Sequence, residues 1–303
     1  MQVLFMGTPQ FAACSLEALY TAGYDICAVF TQPDKARGRG LKHTASPVKE
    51  LAIAHGTAVY QPVSLRDSSV SDAIRALAPD LIVVVAYGQI LPPEILTLPK
   101  LGCINVHASI LPRYRGAAPI QWAILNGERT TGVTIMHMAT GLDTGDIIAT
   151  RSAAIAAGET AGQLTERLAL LGANLLTNTI PRIADGTAPR IPQDDTLATW
   201  ASPLTRELSP IDWSRTAVEI ANQINGLDPW PVASAPIYDL NLKLYRALPA
   251  DGSGQAGEVL SVHKDGCVEI ACGNGSVRIA ELQAPGKKRM AAADCLRGIR
   301  RAR

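Results

Sequence analysis

Short apolar runs alternate with stretches of helical spacing through the first 180 residues. Val3-Leu4-Phe5-Met6 ends at Gly7 and reads as a buried strand. Phe11, Cys14, Leu16, Leu19 and Tyr20 then recur at helical intervals, predicting a helix over 9–22 that Gly23 can stop. Strands are expected over 25–30, 57–60, 80–86, 102–107 and 132–138. Helices are expected over 47–55, 68–78, 117–125 and 160–183. Asp80-Leu81-Ile82-Val83-Val84-Val85-Ala86 is apolar on both faces, which marks a central strand. The polar, glycine-punctuated stretch 31–44 reads as a loop.

Alternating strands and helices predict an open, mostly parallel α/β sheet over 1–186. The pattern changes near Gly186. Pro189, Pro192 and Pro203 interrupt a stretch of little periodicity, so 187–205 is expected to be a linker. The remaining segment, 206–303, carries one helix over 215–225. Short alternating strands follow over 257–263, 267–272 and 276–282, with turn signals at Asp251-Gly252-Ser253-Gly254, Lys264-Asp265-Gly266 and Gly273-Asn274-Gly275. A small β-barrel is the expected form of this module.

Composition narrows the class. The 303 residues are 47% hydrophobic and 18% charged, a globular balance with length for two domains. No apolar run approaches the roughly 20 residues that span a bilayer. Met1-Gln2-Val3-Leu4 reads as a first strand, not a signal peptide, so a cytoplasmic monomer without membrane contact is expected. Six cysteines form no C-x-x-C pair and read as small buried hydrophobes. From the net charge of +1 alone a polyanion partner cannot be inferred, but the charge is unevenly distributed. Lys35, Arg37, Arg39, Lys42 and Lys49 face only Asp34 and Glu50 over 34–50. Lys287, Lys288, Arg289, Arg297, Arg300, Arg301 and Arg303 face only Asp294 over 284–303. Two such patches suit a confined contact with nucleic acid; a solvated loop and a frayed tail are the plainer reading.

The candidate chemistry lies in Asn105-Val106-His107 and in Gly141-Leu142-Asp143-Thr144-Gly145-Asp146. Asn-x-His on one strand puts both side chains on one face, because strand side chains alternate. An amide can stabilise an oxyanion, an imidazole can move a proton, and a carboxylate can orient the imidazole. Acyl transfer to an amine needs these three groups. Dinucleotide binding is not supported: Gly7-Thr8-Pro9-Gln10-Phe11-Ala12 has one glycine where the fingerprint needs three.

These motifs resemble the 10-formyltetrahydrofolate-dependent formyltransferases, and among them the tRNA-dependent members. The resemblance runs in order through Met6-Gly7-Thr8-Pro9-Gln10-Phe11-Ala12, Thr31-Gln32-Pro33-Asp34, Gly38-Arg39-Gly40, Ser46-Pro47-Val48-Lys49, Ala86-Tyr87-Gly88, Asn105-Val106-His107, the segment 109–120 and Gly141 to Asp146. It continues through Pro229-Trp230-Pro231 and Gln283-Ala284-Pro285-Gly286-Lys287-Lys288. The fold it implies is a Rossmann-like sheet followed by an OB-like domain. It implies transfer of a formyl group from 10-formyltetrahydrofolate to the α-amine of methionine on initiator tRNA. It assigns Asn105, His107 and Asp143 to catalysis. Gln89, Ile90 and Leu91, with Ser109, Ile110, Leu111 and Pro112, fall in the folate-contacting segments. Arg39 falls in the loop that meets the acceptor end, and Lys287, Lys288 and Arg289 in the tRNA-binding module. No metal is required.

Which group first takes the proton from the ammonium stays open: His107, or Asp143 through a water. His137 stands where the family more often has glutamine, and it either lines the folate pocket or is structural. A formyltransferase for a small amine, such as glycinamide ribonucleotide or an amino sugar nucleotide, would keep the three catalytic residues but leave both basic patches without a task. A non-catalytic RNA-binding protein would leave the co-occurrence of Asn105, His107 and Asp143 without one.

Overall fold

The strand Gln2–Gly7 lies at the centre of a seven-stranded sheet and sets its topology. In the computed structural model, which describes residues 1–37 and 42–301, the strand order is Val59–Tyr60, Asp25–Phe30, Gln2–Gly7, Leu81–Val85, Cys103–His107, Thr130–His137, Ile147–Ala154. The first five are parallel, and Thr130–His137 runs antiparallel to Cys103–His107. The chain winds outward in both directions from Gln2–Gly7, so the order reverses between that strand and Leu81–Val85. Ligands of such sheets sit outside the carboxyl ends at this reversal. Leu81–Val85 is buried at every position, as its unbroken apolar run predicts. At Gly7 a side chain would meet Cβ of Ala12 at 2.7 Å and the carbonyl of Val85 at 2.9 Å. This glycine lets strand and helix pack closely.

Predicted helices appear with small boundary shifts at Gln10–Thr21, Pro47–Ala54, Ser68–Leu77 and Ala161–Ala184. Some elements were not legible from pattern. Within the predicted loop 31–44, Lys35–Arg37 pairs antiparallel with Lys42–Thr44. The edge strand Ile147–Ala154 alternates too weakly to register. The helix Ala292–Arg301 occupies the stretch read as a basic tail.

The chain divides into two compact units. The first comprises Met1–Gly116, Gly132–Ala153 and Thr165–Trp200. The second comprises Ala117–Thr131, Ala154–Leu164 and the residues from Ala201 onward. The proline-bearing stretch 187–200, expected as a linker, thus packs with the first unit: Ile191 and Ile147 exchange backbone hydrogen bonds of 2.8 and 3.0 Å.

The second unit is a curled antiparallel half-barrel, ordered Ser234–Ile237, Leu240–Ala250, Ser276–Gln283, Val268–Ala271, Val259–Val262, with Met290–Ala291 paired to Ser276–Gln283. The helix Ala217–Gly226 fills it with Ile220 and Ile224 against Leu242, Leu244, Ile270 and Ile279. Thr216 and Glu219 close that helix's start with a reciprocal capping box. The helix Pro119–Leu125, although flanked in sequence by first-unit strands, belongs to this unit and packs Leu125 against the same core. Among the described residues no helix is long and apolar enough to cross a membrane.

Candidate active site

Asn105 and His107 lie two apart at the carboxyl end of Cys103–His107, so both face the same side of the sheet. Their strand pairs with Leu81–Val85 on one side and Thr130–His137 on the other, which fixes their direction. His107 is 6% exposed. Its Nε2 lies 2.9 Å from the carbonyl oxygen of Tyr114. A carbonyl only accepts, so Nε2 carries the proton of this bond, and Nδ1 is the nitrogen free to exchange one. Nδ1 faces Oδ2 of Asp143 at 3.7 Å. Asn105 is half-buried, and no side-chain hydrogen bond among the described residues occupies its amide.

Asp143 reaches this position by an uncommon backbone conformation, with φ at 53°. Aspartate tolerates the left-handed region better than most residues. The loop around it is held on three sides. The backbone N–H of Gly116 donates to Oδ2 of Asp143 at 2.8 Å. Gln193 Nε2 donates to the carbonyls of Asp143 and Gly145 at 2.8 and 2.7 Å. At Gly145 a Cβ would fall 1.7 Å from the carbonyl of His137, so only glycine closes the loop there. His137 is half-buried beside this turn, and its pKa is held below the ordinary histidine value by burial and then by Arg190.

The segment after His107 is fastened to the neighbouring strand. Ser109 is fully buried, its hydroxyl donating to the carbonyl of Arg113 at 2.6 Å. Thr134 Oγ1 donates to the Ser109 carbonyl at 2.7 Å and accepts from the Leu111 N–H at 3.2 Å. The Ser109 hydroxyl and the backbone of Ser109 and Leu111 therefore hold the loop and the Leu111 side chain is buried, while Ile110 and Pro112 are only half-buried. The other predicted folate segment is similarly divided. Gln89 ties its amide to Leu65 N–H at 3.0 Å and to the Pro62 carbonyl at 3.3 Å. Leu91 is 3% exposed, within the core, and Ile90 is 78% exposed.

Arg39 lies outside the described residues. Among the described residues nearby, Lys49 Nζ pairs with Asp34 Oδ2 at 2.6 Å, and Gln61 Nε2 donates to Asp34 Oδ1 at 2.7 Å. Ser46 caps the following helix and shares a buried 2.7 Å hydrogen bond with Thr31. In the second unit Lys287 and Lys288 are exposed. Arg289 is engaged within the unit: it pairs with Glu281 and with Asp228, the latter at 3.1 Å, and lies over the Tyr245 ring at 4.0 Å.

Among the described residues no cluster of three or more His, Cys, Asp or Glu side chains could hold a metal ion. All six cysteines are free, and burial pushes the Cys103 thiol up to about 12, far from nucleophilic use. Sequence reading missed Gln193 and Arg115. Arg115 is 3% exposed, and its side chain meets Gln193 Oε1 and Asp195. Gln193 sat in the stretch taken for a linker, where nothing in a single sequence ties it to a loop fifty residues earlier.

An amide, an imidazole and a carboxylate at the carboxyl end of a doubly wound sheet, with a separate half-barrel, define a class of group-transfer enzyme, and comparison with known proteins says which. The family model described as formyl transferase matches residues 1–180, and the one described as formyl transferase, C-terminal domain, matches 203–300. A methionyl-tRNA formyltransferase of Citrifermentans bemidjiense is 51% identical over 300 residues, 99% of this chain and 94% of that protein. One from Pelotomaculum thermopropionicum is 48% identical over 301 residues, 98% and 96% of the two. This chain belongs to the methionyl-tRNA formyltransferase family. The crystal structure of HypX from Aquifex aeolicus in complex with tetrahydrofolic acid shares the fold, with a TM-score of 0.66 at 20% identity. The match covers 98% of this chain and 47% of HypX, so this chain spans about half the length of that protein.

Proposed function

We propose that Asn105, His107 and Asp143 carry the chemistry by which this enzyme formylates methionine on initiator methionyl-tRNA, with 10-formyltetrahydrofolate as the formyl donor. The donor is a co-substrate that supplies an N-formyl carbon. The α-amine attacks that carbon, its carbonyl oxygen takes up negative charge, and the C–N bond to the folate breaks as the amine nitrogen keeps the formyl group. Asn105, whose amide is engaged by no side-chain hydrogen bond among the described residues, donates to the developing oxyanion. His107 moves the proton through Nδ1, from the attacking amine to the departing folate nitrogen, since Nε2 is held by Tyr114. Asp143 holds the imidazole in register; the 3.7 Å gap is longer than a hydrogen bond and shortens, or takes a water, when substrates bind. The observation that carries this reading is the convergence of Nδ1 and the Asp143 carboxylate at the end of the strand that also presents Asn105.

The half-buried Ile110 and Pro112, beside the backbone polar groups of 109–112, suit a flat ring that needs apolar walls and backbone hydrogen bonds. The side chains of Ser109, Leu111, Gln89 and Leu91 support that wall from behind. Arg39, flanked in the sequence by Gly38 and Gly40, meets the acceptor end of the tRNA. Lys287 and Lys288 contact its phosphates. Arg289 contributes by holding Asp228 and Tyr245, and a phosphate would have to compete for it. The first unit thus bears the donor and the chemistry, and the second bears tRNA contacts. Incubating the protein with 10-formyltetrahydrofolate and methionyl-tRNA, then assaying for formylmethionine, tests the reading. Formylation of a free amine sugar nucleotide in its place would refute it.

A further inference from the structure

We infer that Gln193 is a positioning residue for the transfer: it sets Asp143 against His107 and does not touch either substrate. The inference rests on the reading of Asp143 given above. Both ends of the Gln193 carboxamide are used. Nε2 spends its two hydrogens on the carbonyls of Asp143 and Gly145, at 2.8 and 2.7 Å. Oε1 accepts from Nε and Nη2 of Arg115, at 3.0 and 2.7 Å. Arginine only donates and a carbonyl only accepts, so the amide has one orientation, and a carboxylate could not replace it. Arg115 is buried, with Asp195 Oδ1 at 2.7 Å as its counter-ion. A cation behind Oε1 polarises the amide and strengthens the two N–H bonds it makes in front.

The loop needs such a restraint. Asp143 at φ 53° occupies the left-handed region, which a non-glycine residue keeps only where its surroundings hold it there. Two neighbouring residues act on it together. Gly116 N–H grips the Asp143 carboxylate at 2.8 Å, and Arg115, next in the chain, reaches the Asp143 carbonyl through Gln193. Side chain and backbone of Asp143 are therefore fixed from one short strand, Arg115–Gly116. The ring it faces is fixed from Tyr114, the residue before. Three consecutive residues thus position both partners of the proton-handling pair, and Gln193 completes the set.

The test is steady-state formylation by Gln193→Glu and Arg115→Lys, each alone and combined with Asp143→Ala, with melting temperatures recorded. Gln193→Glu keeps the length and the partner for Arg115 but loses both donors. Arg115→Lys keeps the charge but loses the forked hold on Oε1. Each single variant should lower kcat by about 10- to 100-fold, the effect of misplacing a reacting group by roughly 1 Å. KM for methionyl-tRNA and for the folate should stay within about twofold. In the Asp143→Ala background neither should cost anything more. An equal fold-loss in that background, or a rise in KM with kcat unchanged, would overturn the inference. Wild-type turnover of Gln193→Glu beside an impaired Asp143→Ala would overturn it alone, leaving Asp143 in place. Wild-type turnover of Asp143→Ala would remove both.

Discussion

Nδ1 of His107 stands 3.7 Å from Oδ2 of Asp143, while the ring's other nitrogen is bound to the Tyr114 carbonyl. The imidazole cannot turn without breaking that second bond, so proton exchange is confined to the side that faces the carboxylate. Asp143 and His107 should behave as one unit. The double substitution to Ala is expected to be little slower than the poorer single one in single-turnover formylation. Losses that multiply would mean that the two residues act separately.

The loop that carries Asp143 closes only because residue 145 has no side chain. Gly145→Ala would press Cβ against the His137 carbonyl, and either the loop or the strand end must move. The expected cost is about 1–3 kcal/mol of stability, typical of overpacking. Turnover should fall by more than the melting shift accounts for, because Asp143 is two residues away. A variant with lowered melting temperature but wild-type kcat would show that the loop's shape does not matter to the reaction.

The architecture of the first unit was legible because its strands are unambiguous. Leu81 to Val85 is apolar throughout, and Asn105 and His107 share a face by simple alternation. Strand periodicity puts Asn105 and His107 on one face, but the resemblance to the formyltransferases is what joins the distant Asp143 to them. Four features were hidden for physical reasons. Gln193 acts on backbone carbonyls, which have no sequence signature. The helix Pro119–Leu125 has an apolar face but no mark of which unit's core it enters. Ser109 and Leu91 look like ligand contacts by position, yet their side chains face inward. Arg289 looks like a phosphate ligand by charge, yet a buried carboxylate claims it.

That carboxylate makes a pH-dependent prediction. Burial raises the pKa of Asp228 above its ordinary value, and Arg289 offsets part of the rise. A folded pKa above the unfolded one means stability that is fully present below the unfolded value, near 4, and lost as pH rises through the folded one. Removing Arg289 enlarges that loss. Arg289→Ala should therefore cost about 1–3 kcal/mol at pH 7, less than a fully buried pair because the arginine side chain is 36% exposed. The cost should shrink as pH falls through the folded pKa of Asp228, which lies above its ordinary value near 4, because a protonated Asp228 needs no counter-ion. Urea melts at pH 7 and below that folded value check this, and an equal cost at both would contradict it.

Lys287 and Lys288 are exposed, as Arg289 is, but Arg289 is already paired with Glu281 and Asp228. Replacing both with Ala should weaken methionyl-tRNA binding and flatten its salt dependence by about one slope unit for each phosphate left without its lysine. Arg39→Ala should impair use of methionyl-tRNA with folate affinity unchanged. Titrations of tRNA binding at several salt concentrations read the lysine effects, and formylation kinetics read the arginine. Unchanged slopes would place the tRNA elsewhere on the protein.

The central claim is that Asn105 stabilises charge that appears only during transfer. Its most direct measurement is the turnover of Asn105→Ala in formylation of methionyl-tRNA, with the Kd for methionyl-tRNA measured alongside. Loss of an oxyanion donor predicts a fall of about 10²–10³ in kcat. The Kd should be nearly unchanged, because the residue acts at the transition state. Turnover close to that of the unsubstituted enzyme, or a loss confined to Kd, would contradict the account.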